Sequence, residues 1–237
     1  MKRKAILLGN TEGLPGVKVD IQRFSNFLMS NIGGAWRGNE IEELVDVSKN
    51  SLQLKIAGWK AENNDYVVLM FSGHGGQIRE TVLELNKSGE TIGETALRSI
   101  AKRQLNIYDC CRCYPEALVK SLIEESARLF AAKEDVSYIR LRYDTRIMQA
   151  IPQQALLYSC SIGEASYDSK DGGVYLKNLL QAAMALNDEF KLVGTAHQEA
   201  ELPTLRHSRS EKHGEQHPDA VLAKCLSSQQ LIISMRP

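Results

Sequence analysis

Six apolar runs of strand length punctuate the chain: AILLG (5–9), EELVD (42–46), YVVLMFS (66–72), LNIYDC (105–110), ALLYSC (155–160) and QLIISM (230–235). They are continuous rather than alternating, as expected of strands covered on both faces of a parallel sheet. Stretches with helical spacing lie between them. In 19–32, Ile21, Phe24, Leu28 and Ile32 share one face. The 51–62 stretch is weaker because Gly58 interrupts it; 115–134 opens on a proline and repeats apolar residues every three or four; 174–190 is the fourth. Strand alternating with helix predicts a wound α/β fold, a mostly parallel six-stranded sheet with helices on both faces. Two segments, 135–154 and 197–219, show no clear period and read as long surface loops. Loops of that length in a compact domain are usually functional or mobile. With no internal repeat and no low-complexity linker, the expectation is one domain over 1–237.

Charge narrows the partners. The 237 residues carry 29 basic and 29 acidic side chains, a net charge of zero. Nucleic acid or an anionic membrane as the main partner would call for an excess of positive charge. The apolar run near the start spans only Ala5–Leu8, too short for a secretory signal, and no stretch reaches membrane-spanning length. Five cysteines, clustered and odd in number, are not a disulfide framework, so a reducing cytoplasm is the expected compartment.

The chemistry concentrates at two strand ends. His74 directly follows the 66–72 run among Gly73, Gly75 and Gly76, which let the backbone turn sharply and approach a ligand. In wound α/β sheets, binding groups gather at the carboxyl ends of strands. Cys110 and Cys111 occupy another such end. If the two strands are neighbours, a thiol and an imidazole meet across the sheet top. The imidazole then takes the thiol proton and later protonates a leaving amine. Backbone N–H groups of Gly75 and Cys111 would face the developing oxyanion. Buried structural residues, a zinc site and a redox pair are the competing readings. CCRC (110–113) lacks the paired C-x-x-C spacing of structural zinc and no second cluster matches it, so no metal is expected. The other histidines, His197, His207, His213 and His217, fall in the polar 197–219 stretch and read as part of a solvated loop.

At these residues the chain resembles the caspase-like cysteine peptidases, and among them the metacaspase-like branch. The matching pieces are AILLGN (5–10), VDIQRFSNFL (19–28), FSGHGG (71–76), YDCCR (108–112) and LLYSCSIGEASYDSKDGGVYLKNLL (156–180), in the family's order over nearly the whole chain. The resemblance implies a three-layer caspase-like sandwich and a dyad of His74 and Cys111. It selects Cys111 over Cys110 because family members place the nucleophile two positions after an acidic residue, here Asp109. Cys110 then turns toward the core, and Cys113 stands where the family usually has serine or glycine. Caspases proper carry glutamine at the Asp109 position and cut after aspartate; metacaspase-like members carry aspartate there and cut after arginine or lysine. By position, Asp20 resembles a second acidic pocket residue and Ser72 a third lining group. Two carboxylates in a half-dry pocket favour a cationic side chain. The alternatives are a dipole-stabilising role at a helix start for Asp20, and for Asp109 an acceptor of free N–H groups at a strand end.

The resemblance therefore implies an endopeptidase acting on protein or peptide substrates with a basic P1 residue. Regulation as a zymogen, an activating partner protein and self-cleavage at Arg140, Arg142 or Arg146 in a processing loop at 135–154 are further expectations. Many metacaspases hold calcium through aspartates after the histidine and beyond the cysteine. Here LELNKSGETI (83–92) has no aspartate and Leu118 follows the cysteine, so no cofactor and no strict calcium requirement are expected. The alternative function is an inactive caspase-fold interaction module.

Overall fold

The computed structural model describes residues 1–114, 136–211 and 214–237. The first half runs β1 (Arg3–Gly9), α1 (Gly16–Met29), β2 (Ile41–Val45), α2 (Lys49–Ala61), β3 (Tyr66–Ser72), a three-stranded antiparallel flap of β4 (Gly75–Gln77), β5 (Thr81–Glu84) and β6 (Thr91–Gly93), and β7 (Arg103–Asp109). The second half runs α3 (Val136–Gln149), β8 (Gln153–Tyr158), a small hairpin of β9 (Asp168–Ser169) and β10 (Gly172–Gly173), α4 (Val174–Met184), β11 (Phe190–Leu192), α5 (Val193–Ser210), β12 (Asp219–Val221) and β13 (Ile232–Met235). The helix expected at 115–134 lies outside the described residues.

The main sheet has the order β12-β8-β7-β3-β1-β2, with every pair parallel except β12 against β8. Alternate residues of each strand serve opposite faces. Ala5, Leu7, Val68, Met70, Leu105, Ile107 and Leu157 pack under α1, α3, α4 and α5. Ile6, Leu8, Val67, Leu69, Phe71, Tyr108 and Leu156 pack against α2 and the flap. That double burial explains why the strands read as continuous apolar runs, and it makes the three-layer α/β sandwich expected from the sequence.

Three expectations are corrected. The sixth strand of the sheet is not QLIISM; β13 pairs only with β11, in a two-stranded antiparallel piece beside the helices. The sixth is the three-residue β12, a short edge strand with no apolar run to announce it. The 135–154 segment is not a loop but α3 followed by the start of β8. Its buried apolar stripe is Ile139, Tyr143 and Ile147, spaced by four, and arginines fill the flanks. Arg140 pairs with Glu40, Arg142 with Glu189, and Arg146 is buried with its guanidinium 4.5 Å above the Phe190 ring. The three arginines therefore lie on a packed helix, not in an exposed loop. Much of the 197–219 segment is α5, whose buried face is small and polar: Gly194, Ala196, His197, Ala200, Thr204 and Ser208. His197 lies inside, bonded to the Tyr175 hydroxyl at 2.8 Å, and burial lowers it to about 4, so the ring is neutral. His217 pairs with Glu164 at 2.7 Å, His207 lies on α5, and His213 is outside the described residues.

Candidate active site

The site forms where β3 and β7 end side by side. Their register pairs Ser72 with Asp109, so His74 and Cys111 each stand two residues beyond a paired position. The chains stay adjacent past the strands: Gly73 N–H bonds to the Asp109 carbonyl at 3.1 Å and Gln77 N–H to the Cys113 carbonyl at 2.8 Å. Gly75 is required there, because a Cβ would sit 2.8 Å from Cys110 Sγ and 3.0 Å from the Cys111 carbonyl. Gly75 stands opposite Leu83, while the flanking bond runs from Glu84 N–H to the His74 carbonyl. Gly75 therefore belongs to a non-hydrogen-bonded pair, and its N–H faces away from β5, toward residues 110–113.

His74 and Cys111 line one cleft of about 520 Å³ with Glu12, Leu14, Ser72, Asp109, Ser166 and Asp168 among its walls. The imidazole Nε2 lies 2.6 Å from the Glu12 carbonyl oxygen. A carbonyl only accepts, so Nε2 carries the proton and Nδ1 is the basic nitrogen. The Cys111 thiol sits 3.4 Å from the Ser166 N–H and 3.5 Å from its carbonyl. Burial pushes this thiol up to about 11, so it is protonated as it rests. Cys110 turns into the core at 2 % exposure, as expected from the sequence, and Cys113 is half-buried.

Arg112 fastens the turn that carries Cys111. Its buried guanidinium donates to Thr81 Oγ1 at 3.1 Å, the Cys160 carbonyl at 3.1 Å and Asp219 at 3.0 Å, and stacks 3.9 Å above the Tyr158 ring. It ties the flap, β8 and the edge strand to one point.

Asp20, Ser72 and Asp109 come together, with Ser72 and Asp109 on the cleft wall and Asp20 buried behind them. Asp20 is fully buried: Ser72 Oγ donates to it at 2.7 Å and Gly173 N–H at 3.0 Å, with Arg23 3.8 Å away. Asp109 accepts from Ser166 Oγ at 2.7 Å and Leu176 N–H at 3.0 Å. Both carboxylates thus receive N–H groups from the start of α4, where the helix dipole favours negative charge. Burial raises both above the usual carboxylate range, and the Asp109 charge adds to the rise at Asp20. Gly173 is wedged between them, since a Cβ would lie 2.3 Å from Asp109 Oδ2 and 3.2 Å from Asp20 Oδ2. Gly173→Ala is expected to destabilise the fold by about 1–3 kcal/mol through overpacking, read as a lower midpoint in chemical denaturation; an unchanged midpoint would mean the helix start can back away.

A further carboxylate on the cleft wall is Asp168, which sequence reasoning passed over. One oxygen accepts Gly16 N–H at 3.1 Å; the other is buried and, among the described residues, has no hydrogen-bond partner. Burial, with the Asp109 charge behind it, pushes this carboxyl up to about 6. Its only sequence signal was YDSKDGG (167–173), which reads as an acidic solvated turn.

A search of curated proteins returns no match. Among solved structures, the chain is similar to caspase-1 from Spodoptera frugiperda, with a TM-score of 0.61 over 93% of this chain and 86% of that one, at 11% identity. At that identity the likeness speaks for the fold. A family model described as the caspase domain matches residues 2–220. The chain belongs to the caspase-domain family of cysteine peptidases.

Proposed function

We propose that this protein is a cysteine endopeptidase of metacaspase type, cutting after arginine or lysine through Cys111 and His74. The supporting observation is the shared cleft: a thiol and an imidazole two residues beyond paired strand ends, with the Asp168 carboxylate on the same wall. His74 Nδ1 takes the Cys111 proton as the sulfur attacks the substrate carbonyl. The N–H groups of Gly75 and Cys111 stabilise the oxyanion. The imidazolium then passes the proton to the leaving amine, and water hydrolyses the thioester. A cationic P1 side chain meets Asp168, with Asp109 behind it and Asp20 supporting from beneath the helix start.

The resting arrangement supports a latent form. The buried, protonated thiol rests against the Ser166 backbone, so substrate, a partner protein or cleavage supplies the change that raises its reactivity. No calcium requirement is proposed. The inactive interaction module is the second reading, favoured by the same high thiol pKa. A peptide library profiled from pH 5 to 8, with and without calcium, tests the assignment. Arginine and lysine are expected at P1, and calcium is expected to change nothing. Asp168 is charged above about 6 and neutral below, so kcat/KM for arginyl peptides falls as pH drops through 6, approaching about tenfold per unit. Preference for aspartyl peptides, or the same acid profile for neutral and basic P1 residues, would overturn the pocket.

A further inference from the structure

The acceptor of the imidazole, the Glu12 carbonyl, is itself held from two sides. Asn10 follows β1 and is completely buried. Its N–H bonds to the Ser72 carbonyl at 3.1 Å, which extends the β1–β3 ladder by one step. Its side-chain oxygen accepts the Glu12 N–H at 3.1 Å, closing an Asx turn. Thr11, between them, donates its N–H to Asp46 Oδ1 at 2.8 Å and its hydroxyl to Oδ2 at 2.7 Å. The same Asn10 also lies against the residue before His74: a Cβ on Gly73 would be 3.0 Å from Asn10 Cβ. So one side chain touches both the segment carrying the imidazole's acceptor and the segment carrying the imidazole.

Folding alone accounts poorly for an asparagine here. Its Nδ2 is buried and, among the described residues, finds no hydrogen-bond partner. Buried donors are nearly always paired, and an orphan one calls for a reason. The turn geometry supplies it, because only a short side chain with an acceptor oxygen at this position can bond the N–H two residues on.

We propose that Asn10 is a positioning residue for the dyad. Through the Glu12 carbonyl it orients the imidazole and keeps its proton on Nε2, leaving Nδ1 as the base for Cys111. This inference rests on the dyad reading given above. Without the Asx turn the Glu12 carbonyl swings, the imidazole loses its fixed acceptor, and the proton transfer from the thiol loses its alignment.

The test uses the full chain, an arginyl fluorogenic peptide, and iodoacetamide alkylation of Cys111 followed against pH by peptide mass mapping. Asn10→Ala is expected to lower kcat by about ten- to a hundredfold with KM within about twofold, as a small misplacement of a catalytic group does. Alkylation at pH 7 should slow by about tenfold, because less thiolate forms. Asn10→Ser keeps an acceptor oxygen for the same turn, and its kcat should return to within about threefold of the parent. Should Asn10→Ala fail to fold, Asp46→Ala loosens the same turn from the solvent side and should slow alkylation in the same direction. A folded Asn10→Ala with parental kcat and alkylation overturns the proposal. So does an Asn10→Ser chain that recovers its melting temperature but not its kcat. His74→Ala separates the two levels: if it cleaves and alkylates normally, the dyad reading itself fails, and if it is inert beside an unaffected Asn10→Ala, only the positioning role fails.

Discussion

Cys111→Ala is expected to lower turnover of an arginyl peptide by about a million-fold, the scale on which loss of a covalent nucleophile acts. Neighbouring cysteines cannot substitute. Cys110 sits in the core beneath the flap, and burial pushes its thiol well above the ordinary value. Cys113 has its carbonyl tied to Gln77 N–H and its thiol is raised by burial and by the Glu164 charge. In the proposed dyad His74→Ala would remove both the base for the thiol and the acid for the leaving amine, and is expected to cost about a hundred- to ten-thousandfold. Steady-state cleavage together with mass-mapped labelling by an arginyl chloromethyl ketone reads both. Retention of more than a few per cent activity in Cys111→Ala, or label appearing on Cys113 instead, would show that the sulfur has been misassigned.

Asp168→Ala is expected to reduce kcat/KM for arginyl and lysyl peptides by about a hundred- to a thousandfold, while peptides with glutamine at P1 change little. Truncating one partner of a desolvated charge pair costs about 2–5 kcal/mol, much of it the penalty of leaving the other charge unpaired. Asp168 is the informative position because it separates recognition from folding. Asp109 and Asp20 each accept N–H groups at the start of α4, so their removal loosens the fold as well as the pocket. The Asp168 carboxylate instead takes the N–H groups of Gly16 and of its own neighbour Ser169. Matched arginine, lysine and glutamine peptides on the parent and variant, with thermal melts alongside, make the measurement. Equal losses on all three peptides would sink the assignment of Asp168 to the P1 side chain.

Much of this arrangement was legible in the residues. The doubly buried strands β1, β3 and β8 each carry an apolar run, β7 one broken by Asn106, and His74 and Cys111 follow β3 and β7. Asp20, Ser72 and Asp109 were expected together and are together. What stayed hidden has physical reasons. The Glu12 carbonyl is backbone, and a backbone acceptor leaves no mark on residue identity. Asp168 lies in a polar turn that reads as solvated until the fold lays it against α1. In α3 the core stripe is one residue wide, and its arginines reach distant partners such as Glu40 and the Ser227 carbonyl. In α5 the packing depends on small residues that let helices approach closely, a requirement of size rather than of hydrophobicity.

The stitching between the two halves has a consequence for a severed backbone. Asp20 and Asp109 grip the start of α4, Arg112 reaches Asp219, and β7 pairs with β8 along its length. None of these bonds depends on a continuous peptide between 115 and 135. A nick in that interval would leave two polypeptides that migrate as one particle under native conditions, with the sulfur and imidazole on one piece and the Asp168 carboxylate on the other. Substrate selection would then be a property of the pair, absent from either fragment alone.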